Sequence, residues 1–329
     1  MNKDRQWIFL SLLLLSLGGV IIAYKVLYLG FPLLPGESGD AWIVQVRLQV
    51  QPENGPVRAG LLLPSRSTGF TLSKENFISR RFGLTVEEDM FRRQADWAIR
   101  DLSDPVTLYY RATVIPDTRD RRFAPRPAPP EPPRLEEPYG SALADIVREV
   151  RAESADVESF TAGILSRLYG GERDENTELF LSDIESFNGK KRLAQTLLAG
   201  AEIPSLLVHG IRLSRNNVQR VPIQTLLAVY DGDDWLLFEP ETGHQGLPTD
   251  FMIWWRGEEG LATVTGAEFS DVQISVRQKH ENLLELATER AELENSRIAN
   301  ISVLQLPVQT QSVYELLLLV PFGILLIVI

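Results

Sequence analysis

Hydrophobic and polar positions divide the chain into segments of different period. From Trp42 to Val50 (WIVQVRLQV) they alternate, which predicts a half-buried strand. Val57–Pro64 (VRAGLLLP) and Val106–Val114 (VTLYYRATV) predict two more strands, with Gly, Pro, Asn and Ser between them. Glu87–Arg100, which carries Phe91 and Trp97, reads as a short helix or a strand. Residues 36–123 are therefore expected to form a small β-rich domain, an antiparallel sandwich. From residue 139 the period changes. Leu143, Ile146, Val147 and Val150 share one helical face at i, i+3, i+4 and i+7. Asp156 is placed to N-cap a second helix, with Phe160, Ile164 and Leu168 inward and Gly170–Gly171 as its stop. Leu193, Ala194, Leu197 and Leu198 mark a third helix, which ends before Pro204. Strands follow at Ser205–Leu213, Ile223–Tyr230 and Trp235–Phe238, and Asp231–Gly232 is a hairpin signal between the last two. Helices first and antiparallel strands afterwards make 139–275 an α+β domain.

The ends of the chain are apolar. Trp7–Ala23 holds no charge, and Ile8–Leu29 reaches the ~20 residues a spanning helix needs if Lys25 snorkels. Lys3 and Arg5 precede it, which puts the N-terminus in the cytoplasm, and Trp7, Tyr24 and Tyr28 suit the interfaces. Residues 1–34 are expected to be an N-terminal transmembrane anchor. The rival reading, a cleaved signal peptide, has no small-x-small site after its long apolar run. Leu316–Ile329 (LLLLVPFGILLIVI) is uncharged to the last residue. It is expected to be the start of a C-terminal transmembrane region, 312–329, with the natural chain continuing past Ile329. A short tail helix packed on the soluble part is the alternative. Everything between is expected on one side of the membrane, the outside, or the periplasm in a Gram-negative cell.

Two segments join these parts. Seven prolines lie between Pro125 and Pro138, a density that favours extended chain, so 124–138 reads as a linker. Residues 276–311 form a connector, in which Leu283–Ile298 is amphipathic but too short in leucines for a coiled coil. Composition then removes several classes of function. The formal net charge of −11 argues against nucleic acid as a partner. The chain has no cysteine, so disulfides, thiolate metal sites and a cysteine nucleophile are excluded. Three histidines, His209, His244 and His280, leave little scope for a metal site, and no cofactor is expected.

The order of elements resembles the transglutaminase-like (papain-like) fold. The resemblance rests on the stretch LAGAEIPSLLVHGIRL (Leu198–Leu213), on TLLAVY (Thr225–Tyr230) and on DDWLLFEPETG (Asp233–Gly243). Active members carry a nucleophilic Cys at the start of the helix, a His on the next strand and an Asp on the one after. The acid orients the imidazole, which takes and returns the proton of the thiol. Here the nucleophile position falls within Phe187–Lys190, the His position on Gln224 and the Asp position on Glu239. The degenerate triad is thus Lys190, Gln224 and Glu239. Gln is not a base, and no catalytic residue is expected. Gln224, Glu239, Trp254 and Trp255 are the candidates for lining a groove that binds without cutting.

With the two apolar ends, the β region and the segment Glu131–Phe160, the chain resembles a bacterial inner-membrane family of inactive transglutaminase domains fused to seven transmembrane helices. Here the chain ends within the first of the seven. That resemblance implies a membrane-bound pseudoenzyme acting beside an ATP-grasp peptide ligase and an aspartic-protease-like protein in a peptide-modification system. Three functions follow in order: a non-catalytic periplasmic binding or scaffold domain, an amide hydrolase with relocated residues, and a structural tether.

Overall fold

The computed structural model describes residues 15–20, 24, 38–53, 55–64, 69–79, 81–89, 92–117, 123–171 and 174–282. Residues 15–20 and Tyr24 are helical. Among the described residues no helix is long and apolar enough to cross a membrane. The rest of the expected N-terminal anchor, residues 283–311 of the connector and the expected C-terminal membrane segment lie outside the described residues. The chain divides into two units, Met1–Ala41 with Lys279–Ile329, and Trp42–Gln278. The second is, among the described residues, an α+β structure of three sheets and four helices.

Two four-stranded sheets form a sandwich. In order across the first are β12 (Ala267–Asn282), β1 (Ser38–Pro52), β6 (Val106–Pro116) and β3 (Phe70–Ile78). Across the second are β11 (Ala262–Thr265), β2 (Gly55–Leu63), β5 (Arg93–Leu102) and β4 (Gly83–Glu88). Alternate residues of each strand point inward, as a period of two requires. Val44, Val46 and Leu48 of β1 thereby meet Ala59, Leu61, Ala95 and Trp97 of the other sheet. Glu87–Arg100, which the apolar pattern left between helix and strand, supplies the end of β4 and most of β5. The sandwich also extends beyond the segment 36–123 expected for it. β11 and β12 come from residues 262–282, so the sequence boundary at 275 falls inside β12. Local periodicity cannot show which sheet a late strand joins, because that is a long-range pairing.

Between β6 and β11 the chain builds a helix layer on a third sheet. The helices are α1 (Tyr139–Glu153), α2 (Val157–Tyr169), α3 (Glu175–Ser182) and α4 (Lys190–Gly200). Asp156 starts α2 with a capping box, accepting from the Ser159 backbone N–H at 2.8 Å while Ser159 Oγ returns to the Asp156 backbone. The third sheet has the order β10 (Phe251–Arg256), β7 (Ser205–Arg212), β8 (Gln224–Tyr230), β9 (Trp235–Phe238), all antiparallel. Leu207, Leu227, Val229 and Phe238 face the helices. Val208, Leu226, Ala228, Phe251 and Ile253 face the other way, under Phe123, Trp235 and Leu237.

The third sheet and the sandwich share a core. Ile211, Leu213, Met252, Trp254 and Trp255 all pack among sandwich residues. Trp254 is fully buried, and its indole N–H donates to Leu62 O at 2.7 Å. A register irregularity between Ile253 and Trp255 interrupts the alternation of β10, so two consecutive tryptophans both reach this core. Gly210 on β7 lies where a side chain does not fit. A Cβ there would come within 2.4 Å of Met252 O and 2.6 Å of the Phe251 ring. The proline-rich segment has no regular secondary structure over 125–136, yet it is held. Trp235 Nε1 donates to Pro125 O at 3.2 Å, and Leu135 packs in the helix layer.

Candidate functional site

The three residues that the resemblance assigns to triad positions come from different elements. Lys190 opens α4, directly after Gly189 at φ 92°, and no side chain caps that helix. Its ammonium does not point to either of the other two. It donates to Leu168 O at the end of α2 at 2.8 Å and lies 4.9 Å over the Tyr169 ring. Lys191 and Arg192 follow it, so three consecutive cations occupy the first turn, where the helix dipole is itself positive. Carboxylates on neighbouring loops offset them: Lys191 Nζ lies 3.8 Å from Glu241, and Arg192 pairs with Glu258 at 3.1 Å. Burial and Glu241 push the Tyr169 hydroxyl up to about 12.

Gln224 and Glu239 are brought together, but by a residue the sequence pattern did not single out. Arg212 at the end of β7 donates from Nε to Gln224 Oε1 at 2.9 Å and from Nη1 to Asp250 Oδ1 at 2.6 Å, and its Nη2 lies 3.7 Å from Glu239 Oε1. Thr242 Oγ1 donates to the other oxygen of Glu239 at 2.9 Å. One guanidinium therefore gathers the His position, the Asp position and a second carboxylate. Alternation along β8 puts Gln224 on the face of Leu226 and Ala228, away from the helices. The helix-facing residue at this end of the strand is Thr225.

Thr225 has a partner of its own. His209, directly opposite on β7, has Nδ1 3.0 Å from Thr225 Oγ1 and Nε2 2.9 Å from Gly257 O. The carbonyl can only accept, which places the ring proton on Nε2 and leaves Nδ1 to accept from the hydroxyl. The imidazole stacks on Trp255, centroids 4.4 Å apart and planes at 15°. Burial lowers the His209 pKa below 6.5; the Gly257 carbonyl opposes this, while Lys191 and Arg192 add to it. His244 sits in the turn after β9, where its carbonyl accepts from the Glu239 backbone N–H at 2.8 Å.

Trp254 and Trp255 part company here. Trp254 is a core residue of the sandwich, whereas Trp255 borders a cleft. Its indole N–H donates to Glu259 O at 2.9 Å. The cleft, of about 170 Å³, lies between Leu62, Leu63, Arg92 and Arg93 on the sandwich side and Trp255–Glu259 on the other. Arg256 also lines it, with its guanidinium 4.8 Å over Phe123; burial lowers its pKa to about 10. A volume of this size holds a side chain rather than an enclosed small molecule, whose pockets run to ~300–1,000 Å³. Among the described residues no group of three or more His, Asp or Glu could hold a metal ion. Sequence reasoning missed Arg212 and Thr225. The signal for Thr225 was present in the parity of Leu227 and Val229. Arg212 carried none, since its three partners come from separate loops and strands.

The family described as "Inactive transglutaminase fused to 7 transmembrane helices" matches residues 24–184. The family described as "7 transmembrane helices usually fused to an inactive transglutaminase" matches residues 259–329. The two matches together take in well over half of the chain. No curated protein matches it. A crystal structure of a protein from Cytophaga hutchinsonii, named "a Putative Cysteine Protease", is similar with a TM-score of 0.47 and 13% identity, over 74% of this chain and 92% of that one. The chain belongs to the family of inactive transglutaminase domains fused to seven transmembrane helices.

Proposed function

We propose that the unit Trp42–Gln278 is a non-catalytic binding or scaffold domain on the periplasmic face of a polytopic inner-membrane protein. The observation that carries this is the occupation of all three triad positions. Lys190 is bonded to a helix carbonyl, and Gln224 and Glu239 are held by Arg212. With no cysteine in the chain, no thiol chemistry is open to it. Beside the Trp255 cleft stand Glu258, which is exposed, and Lys191 and Arg192, half-buried and paired with Glu241 and Glu258. The depth of the cleft suits one side chain of an extended peptide. The partners in this reading are a peptide ligand and, within a peptide-modification system, an ATP-grasp ligase and an aspartic-protease-like protein. Photo-crosslinking probes at Lys191 and Glu258 in the membrane-inserted protein test it. A defined crosslinked peptide or protein from both positions is the expected result. Diffuse background from both, in a folded protein, would overturn it in favour of a tether.

One observation favours a second reading, an amide hydrolase with relocated residues. His209 is anchored at Nε2 and faces a hydroxyl at Nδ1, the arrangement of a base and its nucleophile. It requires turnover of a peptide or amide that is lost in Thr225→Val and in His209→Gln. An unchanged rate in both variants, or no turnover on a broad amide panel, removes it.

A further inference from the structure

β4 is the outer strand of its sheet and pairs only with β5. Every one of its six residues is exposed. Edge strands are commonly blunted by proline, lysine or a bulge. GLTVEE has no proline and no lysine, and its register against β5 runs without a shift. Leu84 and Val86 stand opposite Trp97 and Ala95, both buried, so their side chains lie on the core-facing side of the sheet. They are nonetheless 39% and 40% exposed, because the core-facing side of this strand is left uncovered. Ile78, at the end of the edge strand β3 of the facing sheet, is 52% exposed. Three of the large apolar side chains exposed in this unit thus lie on β3 and β4, the edge strands. The charges flanking β4 are polarised: Arg81 precedes it, and Glu87, Glu88 and Asp89 end it. Glu88 also reaches Arg93 at 3.3 Å.

We propose that β4 is a pairing edge for a second copy of this chain, β4 running antiparallel to β4 about a two-fold axis at Thr85. An antiparallel pair about such an axis sets residue i against a fixed complement. Leu84 then stands beside Val86 of the second copy on both sides of the axis, joining the two uncovered apolar pairs into one stripe. Arg81, at a bend two residues before β4, then lies at the end of the pair where Glu87, Glu88 and Asp89 of the second copy sit, so the basic end of each strand meets the acidic end of the other. A parallel pairing in the same register would set Glu87 and Glu88 against themselves. The charge pattern therefore selects a self-complementary antiparallel partner. The inference does not depend on whether the Trp255 cleft binds a ligand.

The test uses the full chain in intact membranes and exploits its lack of cysteine. Thr85→Cys places two thiols on the axis with Cα atoms ~4.5–5.5 Å apart, within disulfide range. Mild oxidation is expected to give a disulfide-linked dimer of this chain. Ile223→Cys, exposed but away from β4, is expected to give little. In the Thr85→Cys background Arg81→Glu should lower the dimer yield, each substitution acting twice by symmetry, by roughly 10-fold. Adding Glu87→Arg should restore it to within about 3-fold of the parent. Equal yields from Thr85→Cys and Ile223→Cys, a yield indifferent to the charge changes, or a crosslink to a different protein would each overturn the proposal. Mass measurement of the unsubstituted chain in nanodiscs gives an independent reading: a monomer at every concentration also overturns it.

Discussion

Trp254→Ala probes whether the third sheet and the sandwich are one body. Trp254 is fully buried, donates to Leu62 O on β2 at 2.7 Å and meets the Tyr110 ring edge-on at 6.5 Å. The indole thus ties β10 to both sheets of the sandwich. Removing a buried Trp side chain costs ~3–5 kcal/mol through lost burial and the cavity left behind. The Leu62 carbonyl loses a donor as well, which adds ~1 kcal/mol or more where water cannot reach it. Trp254→Phe separates the two contributions, since it keeps most of the apolar ring and drops the donor; its expected cost is ~1–3 kcal/mol. Domains of this kind are stable by only ~5–15 kcal/mol, so the alanine variant should lose a third or more of the total. Urea unfolding of a 38–282 fragment, followed by far-ultraviolet circular dichroism, reads both numbers from the shift in midpoint at constant slope. A single transition that moves as a whole supports a shared core. Two separate transitions, with only the helix-bearing one moved, would refute it, and so would a loss below ~1 kcal/mol in the alanine variant.

His209 makes stability depend on pH. Its folded pKa is lowered by burial, so the native state prefers the neutral ring and the unfolded chain binds the proton first, near 6.5. This contribution is whole above the unfolded pKa and is lost as pH falls through the folded one; His209→Gln should flatten the profile on the acid side of 6.5 in fluorescence-monitored unfolding. Arg212→Ala leaves Glu239 and Asp250 without their shared cation. With its side chain 33% exposed the cost is discounted to ~1 kcal/mol, and raising salt should shrink the difference from the parent as the carboxylates are screened. Gly210→Ala should cost well over 2 kcal/mol in the same urea series, because the new Cβ meets the Met252 carbonyl oxygen rather than a movable side-chain end. Asp156→Ala removes the α2 cap and should lower the midpoint in the same urea series.

The parts of the fold that a sequence carries locally were legible. Periodicity placed α1, α2 and α4 and the strands β7, β8 and β9, and the Asp156 cap followed from residue type and position. α3 escaped, because eight residues with two buried positions give the period little to act on. The late strands β11 and β12 escaped in a different way. The membership of β12 in the sandwich is a pairing with β1 across more than two hundred residues, and nothing local encodes it.

The site shows the same division with a functional consequence. Chain order and the family resemblance assigned the three triad positions, and composition removed the thiol; neither depends on geometry. Which residue occupies the helix-facing place on β8 depends on parity, and a shift of one residue exchanges Gln224 for Thr225. On the helix side that exchange leaves Thr225 and His209, hydrogen-bonded to each other and backed by Trp255. On the other side it leaves Gln224 and Glu239, held by Arg212. Both sets are satisfied within the domain, by different partners on opposite faces of one sheet. A ligand at the first turn of α4 is therefore expected to meet Lys191, Arg192 and Glu258 rather than Gln224, which lies on the far face of the sheet. Recognition at this site should follow those charges: reversing Glu258 to Lys should change which peptides crosslink at Lys191, whereas Gln224→Ala, on the far face, should leave that set unchanged.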